Sequence, residues 1–121
     1  MSNFSTFDDL PLSSATLKAV NDLGFNELTP IQAQILPYTL AHQDAIGQAQ
    51  TGTGKTATFL ITIMEALLKR PFASTETRYL AEPRAIIMAP TRELAQQIFD
   101  DCVELTKYTD LHSVCIMGGT N

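Results

Sequence analysis

Ala49-Gln50-Thr51-Gly52-Thr53-Gly54-Lys55-Thr56 decides the fold, because the short apolar run Ala45-Ile46-Gly47 precedes it and a helical period follows it. A strand, a glycine-rich loop and a helix start, in that order, form a P-loop. Phosphate oxygens need several backbone N–H donors turned into one concavity, and only a loop with little side-chain bulk wraps that closely. Gly52 and Gly54 give that freedom. Lys55 reaches the β- and γ-phosphates as a point charge, and the Thr56 hydroxyl is placed to ligate Mg²⁺ at the helix N-terminus, where the dipole favours anions. The first motif position is Ala49 where the strict pattern asks for glycine; a negative φ accommodates it. The competing reading is an ordinary Gly/Thr turn ahead of a helix.

Downstream of the loop, Ala57, Leu60, Ile61, Met64, Leu67 and Leu68 recur at helical spacing, so this helix lays one stripe against a sheet. It ends at Lys69-Arg70 before Pro71, and residues 71–83 read as a polar surface loop. Ala85-Ile86-Ile87-Met88-Ala89 is a continuous apolar run, as expected for a strand covered on both faces. Pro90 stops it. Thr91 opens a helix bearing Leu94, Ala95, Ile98, Cys102 and Leu105, and Ser113-Val114-Cys115-Ile116-Met117 reads as a third strand ending at Gly118-Gly119. The βαβαβ order predicts an α/β fold with a parallel sheet flanked by helices.

Upstream, Ser13 or Ser14 caps a helix with Leu17, Val20 and Leu23 on one face, which stops at Gly24 in the left-handed cap position. Thr29-Pro30-Ile31-Gln32 starts a second helix, with Thr29 as N-cap, Pro30 in the first position and Gln32 at capping-box spacing. Pro37 should kink or restart that helix, which then runs to about His42.

The 121 residues are about one domain's length, and 45% hydrophobic content is enough for a packed core. No apolar run is long enough to span a bilayer, and an N-terminus holding Asp8 and Asp9 without a basic segment is no signal peptide, so a soluble, cytoplasmic protein with no membrane partner is expected. The net charge of −5 argues against a polyanion held by bulk electrostatics. Residues 1–50 hold Lys18 against five carboxylates, so any nucleic-acid contact must be local. Cys102 and Cys115, with no CxxC and no paired His spacing, are expected to be reduced, buried thiols.

Four stretches, in order, resemble the DEAD-box RNA helicases of bacterial type. Gly24-Phe25 with Thr29-Pro30-Ile31-Gln32, and Phe7 upstream, resembles the Q motif; Ala49 to Thr56 resembles motif I; Pro90-Thr91-Arg92-Glu93-Leu94-Ala95 resembles motif Ia; Gly118-Gly119 resembles the family's glycine doublet. The resemblance implies the N-terminal part of a RecA-like P-loop NTPase domain, with residues 1–42 as a Q-motif helical region and 43–121 as the P-loop segment.

The resemblance also implies roles. Gln32 would take both hydrogen-bonding edges of adenine, since a carboxamide offers the donor and the acceptor that N7 and N6 require. Phe7 would stack on the base, with Phe25 and Thr29 beside it, and Gln50, Thr51, Gly52, Thr53, Gly54, Lys55 and Thr56 would hold the phosphates of ATP or ADP and the Mg²⁺. Lys55 and Thr56 would be the catalytic pair. Pro90, Thr91, Arg92, Gly118 and Gly119 would contact the RNA backbone, which positions RNA without reading its sequence. From the residues alone, Gln32 could merely close a capping box with Phe7 in the core, and Thr91 could be an N-cap with Arg92 paired to a carboxylate.

A P-loop ATPase further needs a strand-end carboxylate and an arginine finger. Neither is evident in these 121 residues: the Asp-Glu-Ala-Asp string is absent, and Asp100-Asp101 fall inside a helical pattern. The expectation is a truncated domain that binds adenine nucleotide without hydrolysing it. In the family's sheet order other strands separate the P-loop strand from the one before motif Ia, so self-association through unpaired edges is expected too. The alternatives are a non-catalytic adenine-nucleotide-binding module and another P-loop NTPase, such as a small-molecule kinase.

Overall fold

Among the described residues four helices follow a 3₁₀ turn over Phe7–Asp9: α1 (Ser14–Asp22), α2 (Pro30–Thr39), α3 (Lys55–Lys69) and α4 (Arg92–Leu105). The computed structural model describes residues 4–50, 52–70 and 83–119. The surface loop expected over 71–83 lies outside these except for Pro83.

The helix ends follow the capping chemistry. The Ser13 hydroxyl accepts from the Thr16 N–H, and α1 closes on Gly24 at φ 79° with Phe25 N–H bonded to Val20 C=O and Gly24 N–H to Asn21 C=O. Those two bonds form a Schellman cap, which glycine fits because it has no Cβ to oppose the left-handed conformation. In α2, Thr29 accepts from Gln32 N–H while the Gln32 side chain accepts from Thr29 N–H. Pro37 lies inside α2 without ending it, and the helix stops at Thr39 rather than near His42. The guanidinium of Arg84 donates to the carbonyls of Leu67 and Arg70, so a residue 14 positions further along the chain caps the C-terminus of α3.

α3 is the central element. α2 and α4 pack on it, and α1 packs on α4 and on the 3₁₀ turn. Its stripe Ala57, Leu60, Ile61 and Met64 is buried, and joins Phe7, Leu10, Val20, Leu36, Ile98 and Leu105 in one core. Each fully buried leucine or isoleucine here contributes roughly 1.5–3 kcal/mol relative to exposure.

The parallel sheet is the expectation that needs correcting. No strand occurs among the described residues: the runs at 45–47, 85–89 and 113–117 carry no regular secondary structure. Residues 111–117 do keep period two, with Leu111, Ser113, Cys115 and Met117 half-buried and His112, Val114 and Ile116 exposed. A strand, however, exists through its ladder of N–H···O=C bonds with a neighbour, and an apolar run without such a neighbour leaves its outer side chains in water. Ile46, Met88, Val114 and Ile116 are accordingly 92%, 88%, 81% and 81% exposed. Between α3, α4 and the runs at 85–89 and 113–117 lies an apolar groove of about 620 Å³. Cys102 and Cys115 are free and half-buried rather than fully buried.

Candidate nucleotide site

The P-loop is shaped by two left-handed glycines. Gly52 has φ 87° and Gly54 has φ 82°, and Gly54 is also the N-cap of α3. An added Cβ at Gly52 meets nothing within 4 Å, whereas at Gly54 it would fall 2.4 Å from Gln32 Nε2 and 3.2 Å from Thr29 Oγ1. Gly54 is therefore demanded twice, by its backbone and by its neighbours.

Inside the loop, Thr53 Oγ1 donates to Gln50 C=O at 2.7 Å, and Lys55 Nζ donates to Ala49 C=O at 2.8 Å. The ammonium thus spans the loop from the first turn of α3 back to the first motif position. Thr58, buried one turn into α3, donates to Gly54 C=O at 3.0 Å. Lys55 and Thr56 are the first two helical residues, beside the N–H groups that no intrahelical carbonyl satisfies. Thr51 lies outside the described residues.

Gln32 sits against this loop and is buried, 3% exposed. Its Nε2 donates to Gly54 C=O at 3.2 Å and its Oε1 accepts from Thr29 N–H at 2.9 Å. A carboxamide has two N–H bonds and two lone pairs on oxygen, so one of each remains. Capping box and base recognition are therefore compatible in one side chain.

The two aromatics differ. Phe7 is 3% exposed and belongs to the core, while Phe25 is 39% exposed; the rings stack at 6.3 Å between centroids and 22° between planes. Phe25 is the more accessible ring and Phe7 backs it. The segment carrying Phe7 is tied to the start of the second helix by Leu28 N–H to Ser5 C=O at 2.9 Å. It is clasped by Asp9, whose carboxylate accepts from the N–H groups of Ser5 and Thr6 and is held below the usual carboxylate range by those bonds.

A second cluster forms at the start of α4. Thr91 is the N-cap, with Oγ1 accepting from Leu94 N–H at 3.1 Å. Among the described residues Arg92 pairs with no carboxylate; its Nη2 donates to Gly118 C=O. The Nη2 is also 3.5 and 3.7 Å from where Cβ atoms on Gly118 and Gly119 would stand, and Gly119 has φ 84°. Pro90, Thr91, Arg92, Gly118 and Gly119 are all exposed. Residues 26 apart in sequence thus make one exposed surface.

The DEAD/DEAH box helicase family profile matches residues 29–121, a span that takes in both the Gln32 to Gly54 bond and the Arg92 to Gly118 bond. The chain belongs to this family. It is 56% identical over 113 residues to the ATP-dependent RNA helicase RhlB of Pseudomonas putida, covering 93% of this chain and 28% of the relative. It is 50% identical over 113 residues to that of Shewanella denitrificans, covering 93% and 26%. Among solved structures, a DEAD box protein from Methanococcus jannaschii is similar at TM-score 0.82 and 34% identity, covering 98% of this chain and 30% of that one. The RNA-helicase Prp28 from Chaetomium thermophilum bound to ADP is similar at 0.76 and 33%, covering 98% and 30%. The chain thus spans under a third of the length of these DEAD-box relatives, and its α/β fold rests on their likeness. In the family's terms, motif I and the Q motif are joined by Gln32, and motif Ia and the glycine doublet by Arg92.

Two features of the structure around the site were not anticipated from the sequence. Glu65 is buried on the inner side of α3, and its position within the apolar stripe is the signal that could have drawn notice. Tyr108 donates to Asp22, with Lys107 3.2 Å from the same carboxylate and Lys18 4.3 Å above the Tyr108 ring, which clasps α1 to the end of α4. Nothing local in the sequence announces that clasp.

Proposed function

We propose that this chain is the adenine-nucleotide- and RNA-gripping portion of an ATP-dependent RNA helicase, with residues 1–42 supplying the base site and 43–121 the phosphate and RNA sites of a RecA-like domain. The observation that carries this reading is the placement of the half-satisfied Gln32 amide against Gly54 of the phosphate loop. Purine and phosphate recognition then share one wall. Gln32 Nε2 would donate to adenine N7 and Oε1 would accept from N6, which selects adenine over guanine. Phe25, rather than Phe7, would stack on the base because its ring is the accessible one, and Phe7 would support it from behind.

Lys55 would leave the Ala49 carbonyl for the phosphates, with the N–H groups of the loop and the α3 N-terminus around them. Thr56 supplies one oxygen suited to Mg²⁺. The cation would be held there by that hydroxyl, phosphate oxygens and water. When bound, the metal neutralises phosphate charge. Thr91, Arg92 and the Gly118-Gly119 turn would hold RNA by its backbone, independent of sequence.

By itself the chain would bind and not turn over. The transition state for phosphoryl transfer is stabilised by groups at the γ-phosphate that are each worth several kcal/mol. Asp100 and Asp101 do not stand in for the missing carboxylate: both lie within α4, and burial, followed by the Asp100 charge, pushes the Asp101 carboxyl up. RNA-stimulated phosphate release by the chain would contradict this. The exposed side chains at Val114, Ile116 and Met88 further favour self-association, checked by light scattering. A mass that stays monomeric with rising concentration would contradict it. No described helix is long and apolar enough to cross a membrane.

The test of the nucleotide reading is equilibrium titration with ADP and GDP. Preference for ADP of tenfold or more supports it, and equal binding contradicts it.

A further inference from the structure

Glu65 is the buried carboxylate that neither phosphate nor RNA binding accounts for. It lies ten residues into α3 from Lys55, about 15 Å along the helix axis. Its Oε1 accepts from Ser13 N–H at 3.0 Å, from Ser13 Oγ at 2.9 Å and from Thr16 Oγ1. The contact lies wholly at the N-terminus of α1, where the free N–H groups and the helix dipole favour a negative charge. Burying a carboxylate is costly unless donors surround it, and three converge here.

What this carboxylate holds is set by the two ends of α1. Phe7 lies in the 3₁₀ turn that packs on α1, and Phe25 follows the Schellman cap that closes it. The stacked pair therefore moves with α1. α3, in turn, begins at the phosphate loop. We propose that Glu65 is a positioning residue for purine recognition: through Ser13 and Thr16 it fixes the helix bearing the Phe7–Phe25 platform in register with the phosphate loop. This rests on the nucleotide-site reading given above.

The role separates from mere stability by the ligand it affects. Tripolyphosphate engages the loop alone, whereas ADP needs loop and platform together. Calorimetric titration of both ligands against the wild-type chain, Glu65→Ala, Glu65→Gln and Thr16→Val reads the ratio of the two affinities. Loss of hydrogen bonds to a charged group predicts that Glu65→Ala lowers the ADP-to-tripolyphosphate ratio about tenfold, with tripolyphosphate affinity within about twofold of wild type. Glu65→Gln, which keeps an acceptor of the same size, restores most of the ratio. Thr16→Val, isosteric and lacking one donor, lowers it in the same direction by about threefold, and decides the matter if Glu65→Ala does not fold.

Parallel loss of both ligands, or an unchanged ratio in Glu65→Ala and Thr16→Val, would overturn the positioning role while leaving the nucleotide site standing. Wild-type chain that binds tripolyphosphate as tightly as ADP would overturn the nucleotide-site reading, and the role of Glu65 with it.

Discussion

The side-chain amide of Gln32 donates to the main-chain carbonyl of Gly54 at 3.2 Å, and joins the N-terminus of α2 to the phosphate loop at the point where α3 begins. Gly54 has no room for a side chain there, because an added Cβ would lie 2.4 Å from that same Nε2. Gly54→Ala should therefore combine left-handed strain of roughly 1–2 kcal/mol with displacement of Gln32. Gly52→Ala, with φ 87° and open space around it, should incur the strain alone. Thermal melts and ADP titrations of the two variants should show Gly54→Ala the more destabilised, by about 1–2 kcal/mol for the disturbed Gln32 bonds, with the larger loss of ADP binding as well.

Phe7 and Phe25 should separate stability from binding. Phe7→Ala empties a core position and should cost about 3–5 kcal/mol in denaturant unfolding. Phe25→Ala, at a ring 39% exposed, should cost less in unfolding, about 1–2 kcal/mol for the lost stacking on Phe7, and weaken ADP binding about tenfold, in line with ~1–3 kcal/mol for a base stacked on an aromatic.

Much of this was legible in the sequence where the signal was local. The stripe of α3, the caps at Ser13, Thr29 and Thr91 and the glycine stop at Gly24 all depend on residues within one helical turn, and all stand where the spacing placed them. Pro37 does not restart the helix, since losing one N–H donor near the end of a packed helix is tolerated. The three strands do not form among the described residues, because apolar runs such as Ala85 to Ala89 encode the tendency to pair and not the partner. The long-range bonds from Glu65 to Ser13 and from Tyr108 to Asp22 span 52 and 86 residues, beyond any period in the chain.

The clasp between α1 and α4 should depend on pH at both ends. The Tyr108 hydrogen bond first, and Lys107 second, hold the Asp22 carboxyl below its ordinary range, so its contribution is present above about pH 4 and is lost as pH falls through the lowered value. The Tyr108 phenol is pushed up chiefly by donating to Asp22, so its contribution is present below about pH 10 and is lost as pH rises through the raised value. The melting-temperature difference between wild type and Tyr108→Phe should be flat between these limits and shrink beyond each.

Arg92→Ala should disconnect α4 from the Gly118-Gly119 turn. Filter binding to single-stranded RNA is expected to weaken to the same extent for unrelated sequences, with the salt dependence reduced by about one ion. Sequence-selective loss would place Arg92 on a base instead.

The purine contact itself is tested most directly by ADP against 7-deaza-ADP, which lacks the N7 acceptor, on wild type and Gln32→Ala. If the free N–H of Gln32 donates to N7, wild type favours ADP by about tenfold and Gln32→Ala binds the two alike. Equal affinity of wild type for both nucleotides would contradict the account.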